Sequence, residues 1–426
     1  MKCLNTRIPF KYFQDSGMNN KTYFFLILIL GSLTALGPFS IDMYLPGFPA
    51  IAKDLHTTAS KVSLSLSGFF IGISAGQLLY GPLLDRFGRK KPLYMGLFVY
   101  ILASIGCATS NSIDMLIIMR FVQAIGSCAA AVASVAMVRD LFPVKDSAKV
   151  FSLLMLVVGA SPMIAPTVGG YVTAAFGWQV VFLILSGMGV AILAATALWL
   201  PNSFKPDTSL SLKPRPIILN FLSVIREPQF YTYSLTGAVA FSGLFAYVSG
   251  SPMVFMEVFH TDEKVYGWIF ALLSVGFIGS SQFNTLLLRK YKSEQIIHTA
   301  LICQLVISFT LLFASFNGFL SLIPAIVLIF LFLCCIGLTN PNAAALSLAP
   351  FSKNAGSASA LMGAIQMGMG ALISVVISLF EEPTTLPMTS AMAGSALFAL
   401  GIFLLGRRQI KTPVEMEAGT NSGMIH

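Results

Sequence analysis

Two residues of full formal charge stand well inside apolar runs of this chain, Asp42 near the end of the first and Arg120 early in the fourth. A charge buried in hydrocarbon is costly, so it usually faces a cavity or a partner and serves a function. A carboxyl group in such a place can take up and release a proton. A nearby arginine favours the ionised aspartate, whereas burial and an apolar cargo favour the neutral form, so conformation or cargo can shift proton affinity. The first run travels outward and the fourth inward, which puts both residues roughly 5–10 Å below the outer surface at ~1.5 Å per residue. The expectation is that they meet. Asp114, in the first turn of the fourth run, reads instead as a helix-end charge.

Arg120 also opens a polar stripe. Arg120, Gln123, Ser127, Ala131 and Ser134 recur at steps of three or four, the spacing of one helix face that lipid would penalise. Thr34, Ser249, Asn340, Asn342 and Gln366 are further polar candidates for a substrate cavity, and Phe39, Phe241, Phe245 and Tyr247 are candidate aromatic walls. For each of these taken singly, helix–helix hydrogen bonding or ordinary packing competes with substrate contact.

The elements that must position these residues follow from composition. Of 426 residues 56% are hydrophobic and 10% charged, and the apolar residues fall into blocks of about twenty or more, enough to cross ~30 Å of hydrocarbon as helix. The spans predicted are 22–46, 60–82, 92–109, 113–138, 147–173, 178–200, 229–251, 265–288, 295–315, 320–347, 355–379 and 386–406. The first is a retained helix and not a cleaved signal, because its apolar core is too long. Twelve spans place both termini on one side. Of 26 basic residues only Lys53, Lys61 and Lys264 then fall in exterior loops and Arg120 within a span, leaving twenty-two in interior segments, as the positive-inside rule requires. Both termini are therefore expected in the cytoplasm, in a multi-pass protein of the cell inner membrane. The organisation expected is a cytoplasmic N-terminus (1–21), a six-helix half (22–200), a cytoplasmic linker (201–228), a second six-helix half (229–406) and a cytoplasmic tail (407–426). Within the linker, Ile217, Ile218, Phe221, Leu222 and Ile225 have helical spacing, so a surface helix and an unstructured linker both fit.

The net charge of +9 does not imply nucleic acid, because its lysines and arginines are distributed as loop-orienting clusters between apolar blocks. The six cysteines have no metal-ligand spacing and the four histidines are scattered, so neither a metal nor an enzyme site is expected, and no cofactor is called for. No G-x-x-x-x-G-K-[S/T] sequence is present, so uphill transport would need an ion gradient. The lipid bilayer, protons and a small-molecule substrate are the partners expected; nothing in the sequence names a protein partner.

Between the second and third spans stands Gly81-Pro82-Leu83-Leu84-Asp85-Arg86-Phe87-Gly88-Arg89-Lys90-Lys91, which resembles the cytoplasmic loop signature of the major facilitator superfamily. In physical terms Gly81 would allow close helix approach, Gly88 suits a tight turn, and Asp85 would pair with Arg89 or face the positive end of another helix. The fifth span carries Ser161-Pro162-Met163-Ile164-Ala165-Pro166-Thr167-Val168-Gly169-Gly170, similar to the antiporter motif of drug:proton exchangers, with Ser161 and Ala165 at its first two glycine positions. Pro162 and Pro166 remove backbone donors there. The runs Ile41–Pro49, Met119–Gly126, Val138–Phe142 and Tyr247–Pro252 resemble the Bcr/CflA group, especially its bicyclomycin and sulfonamide resistance branch. The resemblance implies an all-α membrane protein with the major facilitator fold, two six-helix halves around a central cavity, and proton-driven export of small amphipathic compounds. A dedicated metabolite or siderophore exporter, or a proton-coupled importer, would share the same sequence features.

Overall fold

The computed structural model describes residues 20–142, 144–201, 214–351, 355–380 and 382–410. The basic residues Lys2, Arg7, Lys11, Lys205, Lys213, Lys353 and Lys411 of the orientation argument, the terminal segments 1–19 and 411–426, and the linker stretch 202–213 lie outside them. The described residues form helices and no strand, and twelve helices are long and apolar enough to cross a membrane. They form two compact units, the first from Met1–Leu212 with Asp262–Ala271 and the second from Lys213–Thr261 with Leu272–His426.

The first unit contains α1 (Asn20–Asp42), a 3-10 turn (Leu45–Gly47), α2 (Phe48–Asp54), α3 (Ala59–Phe87), α4 (Lys90–Ala108), α5 (Ile113–Leu141), α6 (Val144–Phe176) and α7 (Trp178–Trp199). The boundaries follow those read from the apolar blocks within a few residues, with one correction. The first span does not run as one helix to residue 46. It breaks at Asp42, because Pro46 has no N–H to donate to the Asp42 carbonyl and so cannot continue the i to i−4 ladder, whereas Pro49 falls in the first turn of α2, where no such donor is needed. The chain then resumes in α2, whose last residue Asp54 accepts a 2.8 Å hydrogen bond from Trp178 Nε1 at the start of α7. Thr58 and Ser112 cap α3 and α5 by accepting from Lys61 N and Met115 N, and Asp114 stands in the first turn of α5. Glycines allow the central helices to touch. A Cβ on Gly72 of α3 would come within 2.6 Å of Phe121 O on α5, and one on Gly126 within 2.6 Å of Tyr100 N on α4.

The second unit holds α8 (Pro214–Ile225), α9 (Pro228–Pro252) with a π-helical continuation (Met253–Val258), all but the opening turns of α10 (Glu263–Leu287), α11 (Ser293–Phe316), α12 (Leu322–Leu348), α13 (Ala355–Ser378) and α14 (Leu386–Arg407). Its core joins α9, α11, α12 and α14 through Tyr233, Val239, Ile297, Leu301, Ala343 and Phe403. Of the two readings of the linker, the helix is the one found. α8 buries Val224, its Asn220 donates to Ser357 Oγ of α13 at 2.8 Å, and its Ile218, Leu219, Leu222 and Ile225 stay exposed.

Elsewhere the exposed surface is apolar as well. Phe176, Leu198, Phe316 and Leu379 are 72–77% exposed, a composition that suits hydrocarbon and would aggregate in water.

Candidate functional site

The two buried charges sit in the first unit, but not as a pair. Arg120 is fully buried on α5, and Asp42 ends α1 at 5% exposure. No ion pair joins them, and the Asp42 carboxylate has no hydrogen-bond or ion-pair partner among the described residues. The expectation that they meet is corrected: equal depth does not bring two residues to the same face. Arg120 instead lies between aromatic rings, its guanidinium carbon 4.2 Å from the ring centres of both Tyr44 and Phe69 and 5.8 Å from that of Phe182. Tyr44 is fixed by a 2.9 Å hydrogen bond between its hydroxyl and Ser65 Oγ.

Around Arg120 the polar stripe becomes a chain of hydrogen bonds. Arg120 Nη1 donates to Gln123 Oε1 at 2.6 Å, Gln123 Nε2 to Ser104 Oγ at 2.7 Å, and Ser104 Oγ to the Tyr100 carbonyl at 2.7 Å. The Tyr100 hydroxyl bonds Ser40 Oγ at 2.7 Å, two residues before Asp42. The chain thus links α5, α4 and α1. Arg120 Nε and Nη2 remain buried without a partner. Cation–π contacts are worth about 2 kcal/mol when desolvated, against several kcal/mol to bury an ion. The guanidinium is held in position but only partly compensated.

The other predicted cavity residues divide. Thr34 bonds Ser134 Oγ at 2.9 Å and Leu30 O at 2.8 Å, so it joins α1 to α5. Ser127 is 1% exposed and donates to Ala124 O within its own helix. Phe39 is half-buried on α1. In the second unit Phe245 is buried, edge-on to Phe241 with ring centres 5.2 Å apart, and Tyr247 and Ser249 are buried on the same helix. Asn340 and Gln366 come together across α12 and α13, Gln366 Nε2 donating to Asn340 Oδ1 at 3.1 Å. Asn342 instead donates to Asn284 Oδ1 on α10.

α6 stays helical through Pro162 and Pro166. Ser161 donates to Val157 O and Ala165 is fully buried, and both leave room for close packing. Gly169 is the tightest point: a Cβ there would lie 1.8 Å from Met43 O, the residue after Asp42. Gly170 meets the backbone of Glu263 at 2.3 Å in the same way. Gly169 therefore sets where α1 ends against α6, and Gly170 sets how closely the start of α10 approaches the same helix. Among the described residues no group of His, Cys, Asp or Glu is arranged to hold a metal.

In the loop between α3 and α4, Gly88 adopts φ +81°, a turn that side chains rarely permit. Gly81 needs correction, because a Cβ there would meet open space; the close approach of α3 occurs farther back, at Gly72 and Gly76. Arg89 donates to Asp85 Oδ1 at 2.6 Å, and also to both carboxylate oxygens of Asp140, at 2.8 and 3.4 Å. Burial works against the Arg89 charge, but the hydrogen bonds and charges of Asp140 and Asp85 outweigh it and raise its proton affinity. Arg86 lies beside the Phe87 ring.

A model of the Major Facilitator Superfamily matches residues 30–375. The chain belongs to that superfamily. Among its relatives, the MFS-type transporter YdgK of Bacillus subtilis is 32% identical over 392 residues, covering 90% of this chain and 96% of that protein. The bicyclomycin resistance protein homolog of Haemophilus influenzae is 30% identical over 92% of this chain and 98% of its own length. The crystal structure of a D-xylose-proton symporter shares the fold with a TM-score of 0.68 at 14% identity, over 93% of this chain and 98% of that one.

Asp140 enters the sequence reading only as part of the run Val138–Phe142, with no role of its own. A carboxylate in the last turn of a helix opposes the helix dipole unless a cation holds it, and that mismatch was the available signal. Its side chain is 13% exposed against 50% for Asp85. Loss of Asp140 is therefore expected to cost more folding stability. Asp140→Asn should lower the melting temperature of the detergent-solubilised protein by several degrees, as expected for a partly buried pair worth ~2–3 kcal/mol. Asp85→Asn should shift it little, but reduce transport with protein level and substrate affinity kept, if the loop latches one conformation. Normal turnover in Asp85→Asn would remove the latch.

Proposed function

We propose that this chain is a proton-coupled antiporter that exports small, largely amphipathic organic compounds, drugs among them, from the cytoplasm by alternating access of two six-helix halves (22–200 and 229–406). The observation that carries the proposal is Asp42, a buried carboxyl with no donor bound to it, at the junction where α1 is pressed against Gly169 of α6. Such a group gains or loses a proton without breaking a bond to a neighbour. The resistance-named relative in Haemophilus influenzae supports a drug as cargo. Export would place Asp42 and Arg120 in the coupling of proton to substrate.

Accumulation of bicyclomycin in cells lacking their own pumps tests the proposal. The chain should lower accumulation severalfold, and a protonophore should restore it; accumulation unaffected by the chain and by the protonophore would exclude it. Flux in inverted vesicles separates export from proton-coupled import.

The proposed orientation places both termini and the 201–228 connection in the cytoplasm. Reporter fusions after Phe204 and after Lys411 should both behave as cytoplasmic. An external signal from either would mean that the count of spans on which the orientation rests is wrong.

A further inference from the structure

The second unit contains a cavity of about 70 Å³ between α9, α12 and α13, made by small residues such as Gly237 and Ala343. Drug-sized pockets enclose roughly 300–1,000 Å³, so this one has room for a single functional group of a larger molecule. Its wall carries no charged side chain. Polar atoms nevertheless converge on it. Ser234, 3% exposed on α9, contributes a hydroxyl that has no hydrogen-bond partner among the described residues. Asn340 and Gln366 contribute the amide pair, which uses one N–H and one carbonyl between themselves. Turning both amides over exchanges the roles but leaves the same surplus, one NH2 and one carbonyl. Neither has another partner among the described residues.

An unpaired buried hydroxyl is destabilising, and a charged group entering an uncharged wall costs more. The group that best relieves this arrangement is uncharged and both donates and accepts. We infer that this cavity is a subsite for a carboxamide-like group of the transported compound, read by Gln366, Asn340 and Ser234. The inference rests on the reading that the chain moves small organic compounds and adds the chemistry by which it selects among them. A site built for paired hydrogen bonds discriminates against an analogue lacking them, because its own polar groups are then left unpaired.

The test is fluorescence titration of the purified full-length chain in detergent with two probes of one ring system, a naphthalene carboxamide and the matching methyl ester. The ester keeps the carbonyl acceptor and lacks both N–H donors, so the two bonds these would donate, to the surplus amide carbonyl and to Ser234 Oγ, should make the carboxamide bind about tenfold more tightly. Gln366→Leu should reduce that preference to about twofold or less by weakening the carboxamide alone. Ser234→Ala, which deletes one oxygen and leaves the packing intact, should reduce it by about threefold. Equal affinity for the two probes in the unaltered chain would overturn the inference. So would an undiminished preference in Gln366→Leu, or a loss that falls equally on both probes. Titration needs neither a gradient nor translocation, so its failure leaves the export reading standing, and failed export leaves the subsite standing.

Discussion

Asp42→Asn is expected to abolish the proton release that accompanies drug binding while leaving the binding of an uncharged drug within about threefold of normal, less than ~0.7 kcal/mol. Asn has the shape of Asp and cannot titrate, and Asp42 makes no hydrogen bond that the substitution would break. What Asn introduces is an NH2 group in a buried place, at a cost of ~1–3 kcal/mol, so a small drop in melting temperature is part of the expectation. Uphill export should fall to background, since an exchanger without its exchangeable proton cannot draw on the gradient, although downhill equilibration can continue. Proton release from the purified protein on drug addition, measured beside a binding isotherm, reads the two quantities separately. Release that persists in Asp42→Asn would remove Asp42 as the carrier.

The same residue marks where sequence reading reached its limit. Counting residues from a helix end gives depth along the membrane normal, and by that measure Asp42 and Arg120 were level. It gives nothing about direction around the helix axis. The partner of Arg120 is set by which face of α5 turns toward α1, and that face meets Tyr44 and Phe69 instead. The spans were legible because hydrocarbon demands a block length that composition alone satisfies. Asp85 and Arg89 were legible because opposite charges four residues apart stay within reach of one another, although the pair closes across the Gly88 turn and not along one helix. Asp140 reaches Arg89 across 51 residues of chain, and no local spacing encodes that. Gly81 misled for a related reason: a glycine beside a loop signature suggests close packing, but the crossing of α3 and α5 falls at Gly72, two to three turns earlier. Pairs of distant residues are decided by helix packing, and one sequence carries little record of it.

Arg120 allows charge and shape to be separated. Arg120→Ala is expected to disturb both drug binding and proton release, since it removes a fully buried side chain from between two rings and takes the donor from Gln123. That variant confounds a cavity with a lost charge. Arg120→Met fills much of the same space without the charge. The guanidinium leaves Nε and Nη2 unpartnered, so methionine relieves an incompletely compensated buried charge, while the buried Gln123 Oε1 loses its donor at a cost of ~1–3 kcal/mol. With these two effects opposed, Arg120→Met should melt close to the temperature of the unaltered chain and yet transport below about a tenth of normal, for the proposed coupled exchange would lose its fixed positive charge. Arg120→Lys should not rescue it, because an ammonium cannot stack its plane between Tyr44 and Phe69 while donating to Gln123. Rescue by lysine would mean that charge alone suffices and the aromatic cage is incidental. Normal transport in Arg120→Met would mean that the positive charge has no part in coupling, and that Arg120 is retained for packing alone.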